Sequence, residues 1–260
     1  MAKQAWIAFP YPDRAYTHTP ASLRKNWERL HKGDHEPFPG DKELVQAWIH
    51  YHAGEFGKAV EIGLAAGHPG WNVANRAQNI YTNGLVEDEA FQLESFQQVM
   101  GRCEQLIETQ PDNANNFYNH AYALGRYSQG ISVVKALAQG LGGTIKSSLA
   151  RALELDPLHA DAHVAMGTYH AEVIDKVGGL IGGLTYGASE KKGLEHYRKG
   201  LEIFPASPIY TNEFANRLVM LQGKGKFKEA EKLYQEAAKH LPVDAMERLD
   251  VETAKAELEA

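Results

Sequence analysis

Along most of this chain apolar residues return every three or four positions, the spacing that gathers them on one face of a helix. Leu23, Trp27 and Leu30 form such a stripe early on, Leu44, Ala47 and Trp48 a second, and Phe227, Ala230, Tyr234 and Ala237 one of the last. The pattern predicts helices throughout and no strands. The stripes come in pairs, and the pairs close alike. Ala152-Leu153-Glu154-Leu155-Asp156-Pro157 ends one helix, and Gly200-Leu201-Glu202-Ile203-Phe204-Pro205 ends another 48 residues later. Between them a new helix opens at Ala160, with small or apolar residues at Ala162, Met166 and Gly167.

A helix, turn, helix, proline unit of this kind resembles a tetratricopeptide repeat, whose period is about 34 residues and whose helices bury their apolar faces only by stacking on neighbouring units. Gly54-Glu55-Phe56 followed by Ala59 matches the turn of such a repeat. The expectation is an all-α, right-handed superhelical array of about five helix pairs. Residues 41–242 form the array, 1–40 an extended segment with a short capping helix, and 243–260 a final capping helix. Thr19-Pro20 starts the first of these helices, with threonine as cap and proline pre-set for the first turn, and it should stop before Gly33. The second unit is the least regular, its register open between Ala74 and Ala77. The third and fourth units exceed the usual period by about 12 to 14 residues. Each surplus falls between the two helices of its unit, at 125–144 and 171–189, and is rich in glycine. Both read as lengthened first helices that project and fold back through glycine bends.

Composition narrows the function. A net charge of −6, from 27 basic and 33 acidic residues, offers no general attraction to nucleic acid. No apolar run approaches the roughly 18 residues of a membrane helix, and ten residues from Val177 to Tyr186 are too few to span; packing against the neighbouring insertion is their simplest role. The absence of a leader-like start reads as cytoplasmic, although a chain from which an export signal had been removed would read the same and be periplasmic. Cys103 is the only cysteine and stands where a second helix needs a small apolar residue, which makes it a buried structural thiol.

Chemistry-bearing motifs are sparse. His159, Asp161, His163, His170 and Glu172 lie close together, but without an H-E-x-x-H or a cysteine pair, and His163 and His170 occupy packing positions, so no metal is expected. Gly182 and Gly187 have the separation of a phosphate loop, yet Ala188-Ser189 follows where lysine and a hydroxyl residue are needed. No nucleophile elbow or paired thiol marks an enzyme, and no cofactor is expected.

Three further runs occur in order: Ala165-Met166-Gly167-Thr168-Tyr169-His170-Ala171-Glu172, then Leu184-Thr185-Tyr186-Gly187-Ala188-Ser189, then Tyr197 to Pro205. Across residues 113–260 this order resembles bacterial relatives of the regulator-of-microtubule-dynamics tetratricopeptide proteins; it also resembles, more loosely, the T-components of tripartite periplasmic transporters. That resemblance implies a helical array binding a protein or a small ligand, without catalysis. Taking the register from each turn, the concave face should carry Trp48, His52, Tyr118, Tyr122, Arg126, Thr168, Glu172, Asn212 and Asn216. This set suits stacking and hydrogen bonding to an extended peptide, which makes a non-enzymatic interaction scaffold the leading expectation. The alternative is an accessory or carrier for a small apolar ligand, with a slot walled by the two insertions beside Val133, Leu137, Leu180, Ile181 and Leu184.

Overall fold

The computed structural model describes residues 6–259, and among them no strand occurs. Five helix pairs stack in chain order. They are α2 (Lys42–His52) with α3 (Phe56–Ala65), α4 (Trp71–Leu85) with α5 (Glu89–Thr109), α6 (Ala114–Gln129) with α8 (Leu141–Leu155), α9 (Ala160–Val177) with α11 (Glu190–Ile203), and α12 (Pro208–Gln222) with α13 (Phe227–Ala238). A short helix α1 (Pro20–Leu30) precedes the array and α14 (Ala245–Glu259) ends it. The α1 start is as the sequence requires: Thr19 and Ser22 form a reciprocal capping box with Pro20 in the first turn.

Small residues set how closely the pairs approach. Ala74 and Ala77 are both fully buried, so the second unit uses both of the positions between which its register was open. A methyl group on Gly167 would stand 2.8 Å from the ring of Tyr197, which marks the α9–α11 contact as a place where only hydrogen fits. Cys103 is fully buried, accepts a hydrogen bond from Asn75 Nδ2 at 3.3 Å, and has its thiol pushed up to about 12 by burial.

The two surpluses differ from the expectation of lengthened first helices. At 16 and 18 residues, α6 and α9 are close to the 15 of α4 and α12. The extra chain forms separate elements instead: α7 (Val133–Ala138) in the third unit, and in the fourth α10 (Gly179–Ile181) continued by a π turn (Gly182–Tyr186). Gly140, Gly178 and Gly187 take positive φ where these elements meet their neighbours, conformations that cost a side-chain-bearing residue energy. Nor does the second insertion bury its apolar residues against the first. Leu180, Ile181 and Leu184 are 78%, 56% and 82% exposed.

The chain ends do more than cover the array. As an end cap would, α1 lies on α2, with Trp27 edge-on to Trp48 at 5.6 Å and stacked on His31 at 3.9 Å. Residues 31–36 then turn inward over the N-terminal ends of the first helices of the later units. Asn72 of α4 and Asn115 of α6 both donate to Glu36 Oε2, the backbone N–H of Asp161 in α9 donates to the Gly33 carbonyl, and Arg76 of α4 pairs with Asp34 at 3.0 Å. Carboxylates are well placed there, because the unpaired N–H groups and positive dipole ends of several helices converge. Helix α14 packs on α12 and α13 and also reaches α2. Its N-cap residue Asp244 accepts from His52 Nδ1 at 2.9 Å, His52 Nε2 meets His31 Nε2 at 3.2 Å, and His31 Nδ1 lies 3.0 Å from Asp34. Each ring thus faces a carboxylate through Nδ1 and the other ring through Nε2. This Asp–His–His–Asp relay ties the N-terminal segment, the first pair and α14 together.

Glu36 gives the closure a pH signature. Burial, and then the adjacent Asp34, push its carboxyl up to about 8. The folded protein therefore holds a proton that the unfolded chain releases near pH 4.5, and this contribution to stability falls as pH rises from 4.5 through 8. Glu36→Gln keeps an acceptor for Asn72 and Asn115 while removing the ionisation. It is expected to raise the melting temperature at pH 8.5 and leave it nearly unchanged at pH 5. Equal effects at both pH values in paired thermal melts would reject this account.

Candidate functional site

With its ends folded inward, the array partly encloses a chamber of about 600 Å³ on its concave side. Helix α6 supplies Tyr118, Tyr122 and Arg126 at four-residue spacing, one per turn on the same face. Helix α9 supplies Val164, Thr168 and Glu172 in the same way. The insertion side contributes Leu137, Leu141 and Ile145, and α14 closes the remaining side with Leu249 and Asp250. The inner end is the polar contact of Arg76, Asp161 and Tyr210. At the outer end the lining residues Gln129, Val133, Leu137 and Lys176 are exposed, as are Asn83 and Gly84 of α4 and Thr253 of α14, so the mouth of the chamber runs from the two insertions across to the ends of α4 and α14.

Charges inside are mostly paired. Arg76 binds Asp161 at 2.8 Å as well as Asp34, and its Nε donates to Tyr51 at 3.2 Å. Burial opposes the ionisation of Asp34, yet Arg76 and His31 beside it hold its carboxyl well below the usual range. Burial raises the hydroxyl of Tyr210, as does Asp161, to which it donates a short hydrogen bond. Arg126 donates to Glu213 at 3.2 Å and lies over the Tyr122 ring at 5.3 Å, and Glu172 pairs with Arg217 at 3.0 Å. Asp250 accepts from Asn212 at 3.2 Å. Burial and the neighbouring Glu213 carboxylate push Asp250 up to about 7, so it is a carboxyl group able to donate as well as accept near neutrality.

Five of the nine residues placed on the concave face by sequence meet here: Tyr118, Tyr122, Arg126, Thr168 and Glu172. The other four do not. Trp48 and His52 are 2% and 1% exposed, Trp48 packed under α1 in the first core cluster and His52 held between His31 and Asp244. Asn212 is turned to Asp250 and Asn216 accepts from the Tyr234 hydroxyl, while Ile209, Tyr210 and Glu213 are the α12 residues that face the chamber. The sequence register of that helix was thus off by one position. Arg76, Glu213 and Asp250 were not expected at all, and the only signal for them was polarity within otherwise packed helices. Of the insertion residues, Val133 and Leu137 line the chamber, whereas Leu180, Ile181 and Leu184 point away from it into solvent.

The histidine and carboxylate group of α9 is dispersed. His159 caps its own helix at Ala162 N and bonds Asn115, Asp161 holds Arg76 and Tyr210, His163 meets His196 at 3.0 Å, and Glu172 holds Arg217. Among the described residues no three His, Cys, Asp or Glu side chains are placed to hold a metal ion. Likewise, no described helix is long and apolar enough to cross a membrane.

No protein-family model matches the chain, and no curated protein matches it significantly. Among solved structures it is similar to TTC0263, a thermophilic tetratricopeptide-repeat protein of Thermus thermophilus, at 15% identity and a TM-score of 0.59 over 82% of this chain and 97% of that one. The fold is therefore a tetratricopeptide-like all-α array.

Proposed function

We propose that this protein is a non-enzymatic binding protein that holds one small amphipathic organic molecule in the concave chamber. The depth and partial closure of that chamber carry the reading. An extended peptide needs a continuous open groove, but here residues 31–36 fill one end of the concave face and α14 lies along its side. What remains is a space of about 600 Å³, within the range of pockets that bury a drug-sized ligand. Its lining is predominantly apolar, with tyrosine rings and a few convergent polar groups, the composition that orients such a ligand. We place the apolar body of the ligand against Leu137, Leu141 and Ile145 and its polar end at Arg126, Glu213 and Asp250. The looser resemblance of residues 165–205 to transporter T-components agrees with a carrier or receptor accessory.

Ala165 borders the chamber on α9, and the indole of Ala165→Trp should obstruct part of it. Native mass spectrometry of freshly purified protein is expected to show a bound organic molecule. The apolar dye 1-anilinonaphthalene-8-sulfonate should bind the folded wild type with one-to-one stoichiometry and the tryptophan variant at least tenfold more weakly. Equal dye binding by the two proteins, with no co-purified molecule, would rule out the chamber as a ligand site.

A further inference from the structure

We propose that the two insertions form a docking surface for an anionic lipid bilayer, which brings the insertion side of the chamber's mouth to the membrane. Helix α7 and the segment from α10 through the π turn project beyond the ends of α6 and α9, on the same side of the array. The first turns of α8, just after α7, hold the base of the second insertion: Lys146 Nζ donates to the Tyr186 carbonyl at 2.7 Å and Gly142 lies against the Tyr186 ring. At their tips the apolar residues are bare: Val134 is 77% exposed, Leu180 78% and Leu184 82%, with Ile181 and Leu137 beside them at 56% and 42%. Six of the fourteen exposed large hydrophobics among the described residues lie on these two neighbouring tips, while the others are scattered over the rest of the chain, and such a concentration marks an interaction surface.

Charge selects the partner. The chain carries −6 overall, yet residues 113–153 contain no Asp or Glu; of their cations Arg126 is paired with Glu213 and Arg151 with Glu154, which leaves Lys135 and Lys146 on the insertion side. Residues 176–189 also lack acidic residues, and Lys191 and Lys192 follow the second tip, while Lys176 is paired with Asp175 and Lys191 lies 3.8 Å from Glu195. Protruding aliphatic residues ringed by lysines, on a protein otherwise acidic, are complementary to a bilayer. The tips enter the acyl boundary while the ammonium groups stay among anionic headgroups. Tips that project as separate points fit a deformable surface, since a rigid protein partner would need matching hollows. Leu137 and Lys176 belong both to this surface and to the rim of the chamber, so a docked molecule would have that side of the chamber's mouth facing the lipid.

Flotation of the full chain with vesicles tests this directly. Binding is expected to vesicles of phosphatidylcholine and phosphatidylglycerol in equal parts, to weaken as salt is raised, and to be slight on phosphatidylcholine alone. Leu180→Asp with Leu184→Asp, at positions too exposed to affect folding, should weaken binding at least tenfold; Lys135→Glu with Lys191→Glu should remove most of the salt dependence. Ala165→Trp should float like the wild type, so failure of the ligand reading leaves this one standing. Absence of binding to the anionic vesicles, or unchanged binding by the double aspartate variant, overturns the proposal. So does sedimentation showing a wild-type dimer that the aspartate variant dissolves, which would make a second copy of the chain the occupant of the patch.

Discussion

An Arg76→Met variant is expected to lose about 3–5 kcal/mol of stability, the typical cost of removing one partner from a buried ion pair. The guanidinium is 7% exposed and stands between Asp34 and Asp161, at 2% and 8%. Methionine fills much of the space but leaves both carboxylates facing each other without a cation. Arg76 also joins three parts of the chain that local sequence does not connect: α4, the N-terminal segment through Asp34, and α9 through Asp161. Against a typical total of about 5–15 kcal/mol, the loss would lower the melting temperature by something on the order of 10 °C. Arg76→Lys should fall between the two, since a single ammonium cannot serve both carboxylates and the Tyr51 hydroxyl with the fork that Arg provides. A melting temperature within 2 °C of wild type for the methionine variant, on a scale where 1 kcal/mol corresponds to about 2–4 °C, would mean that the closure of the concave face contributes little to folding.

Arg76 also marks where sequence reading reached its end. The array itself was legible because each helix pair repeats a local rule: an apolar stripe, a small residue at the close contact, a glycine turn and a terminal proline. Ala47, Ala59, Ala162, Ala215 and Ala230 are all at most 3% exposed for that reason. Half of the candidate site was legible on the same basis, since Tyr118, Tyr122 and Arg126 follow from the phase of α6 once its start at Asn113 is known.

What stayed hidden is polar and long-range. His31, Asp34 and Glu36 read only as part of the extended capping segment, because nothing local says that the partners of this stretch are Asn72, Arg76, Asn115 and Asp161. A carboxylate on a loop has no periodicity to betray its burial. The same holds for α14, whose charged and alanine-rich sequence fits a helix at the end of an array equally well whether it stops there or turns back along the concave face. Trp48 and His52 were assigned to an open groove for this reason: the first helix was phased correctly, but the cover over it comes from a segment with no repeat pattern.

Gly33 allows the closure to be tested without touching a charge. Read from sequence it is a loop glycine after a helix, where an added methyl should be mild, and Gly167 is the sensitive position. In the folded chain a Cβ on Gly33 would fall within 2.5 Å of Asp161 Oδ1 and closer still to the Tyr210 hydroxyl, both of which are buried and bonded to each other. Gly33→Ala must therefore push residues 31–36 off the helix ends or break the Tyr210–Asp161 bond, and is expected to cost about 1–3 kcal/mol. That places it beside Gly167→Ala, which drives a methyl into the buried Tyr197 ring. Gly40→Ala, where the methyl meets nothing within 4 Å, should be silent and serves as the control for loop substitution. Double-mutant cycles separate the mechanisms. Gly33→Ala and Arg76→Met act on the same contacts around Asp161 and should be less than additive, whereas Gly167→Ala and Arg76→Met share no partner and should add within about 0.5 kcal/mol. If Gly33→Ala melts like Gly40→Ala, residues 31–36 do not sit on the helix ends, and the chamber loses its inner wall.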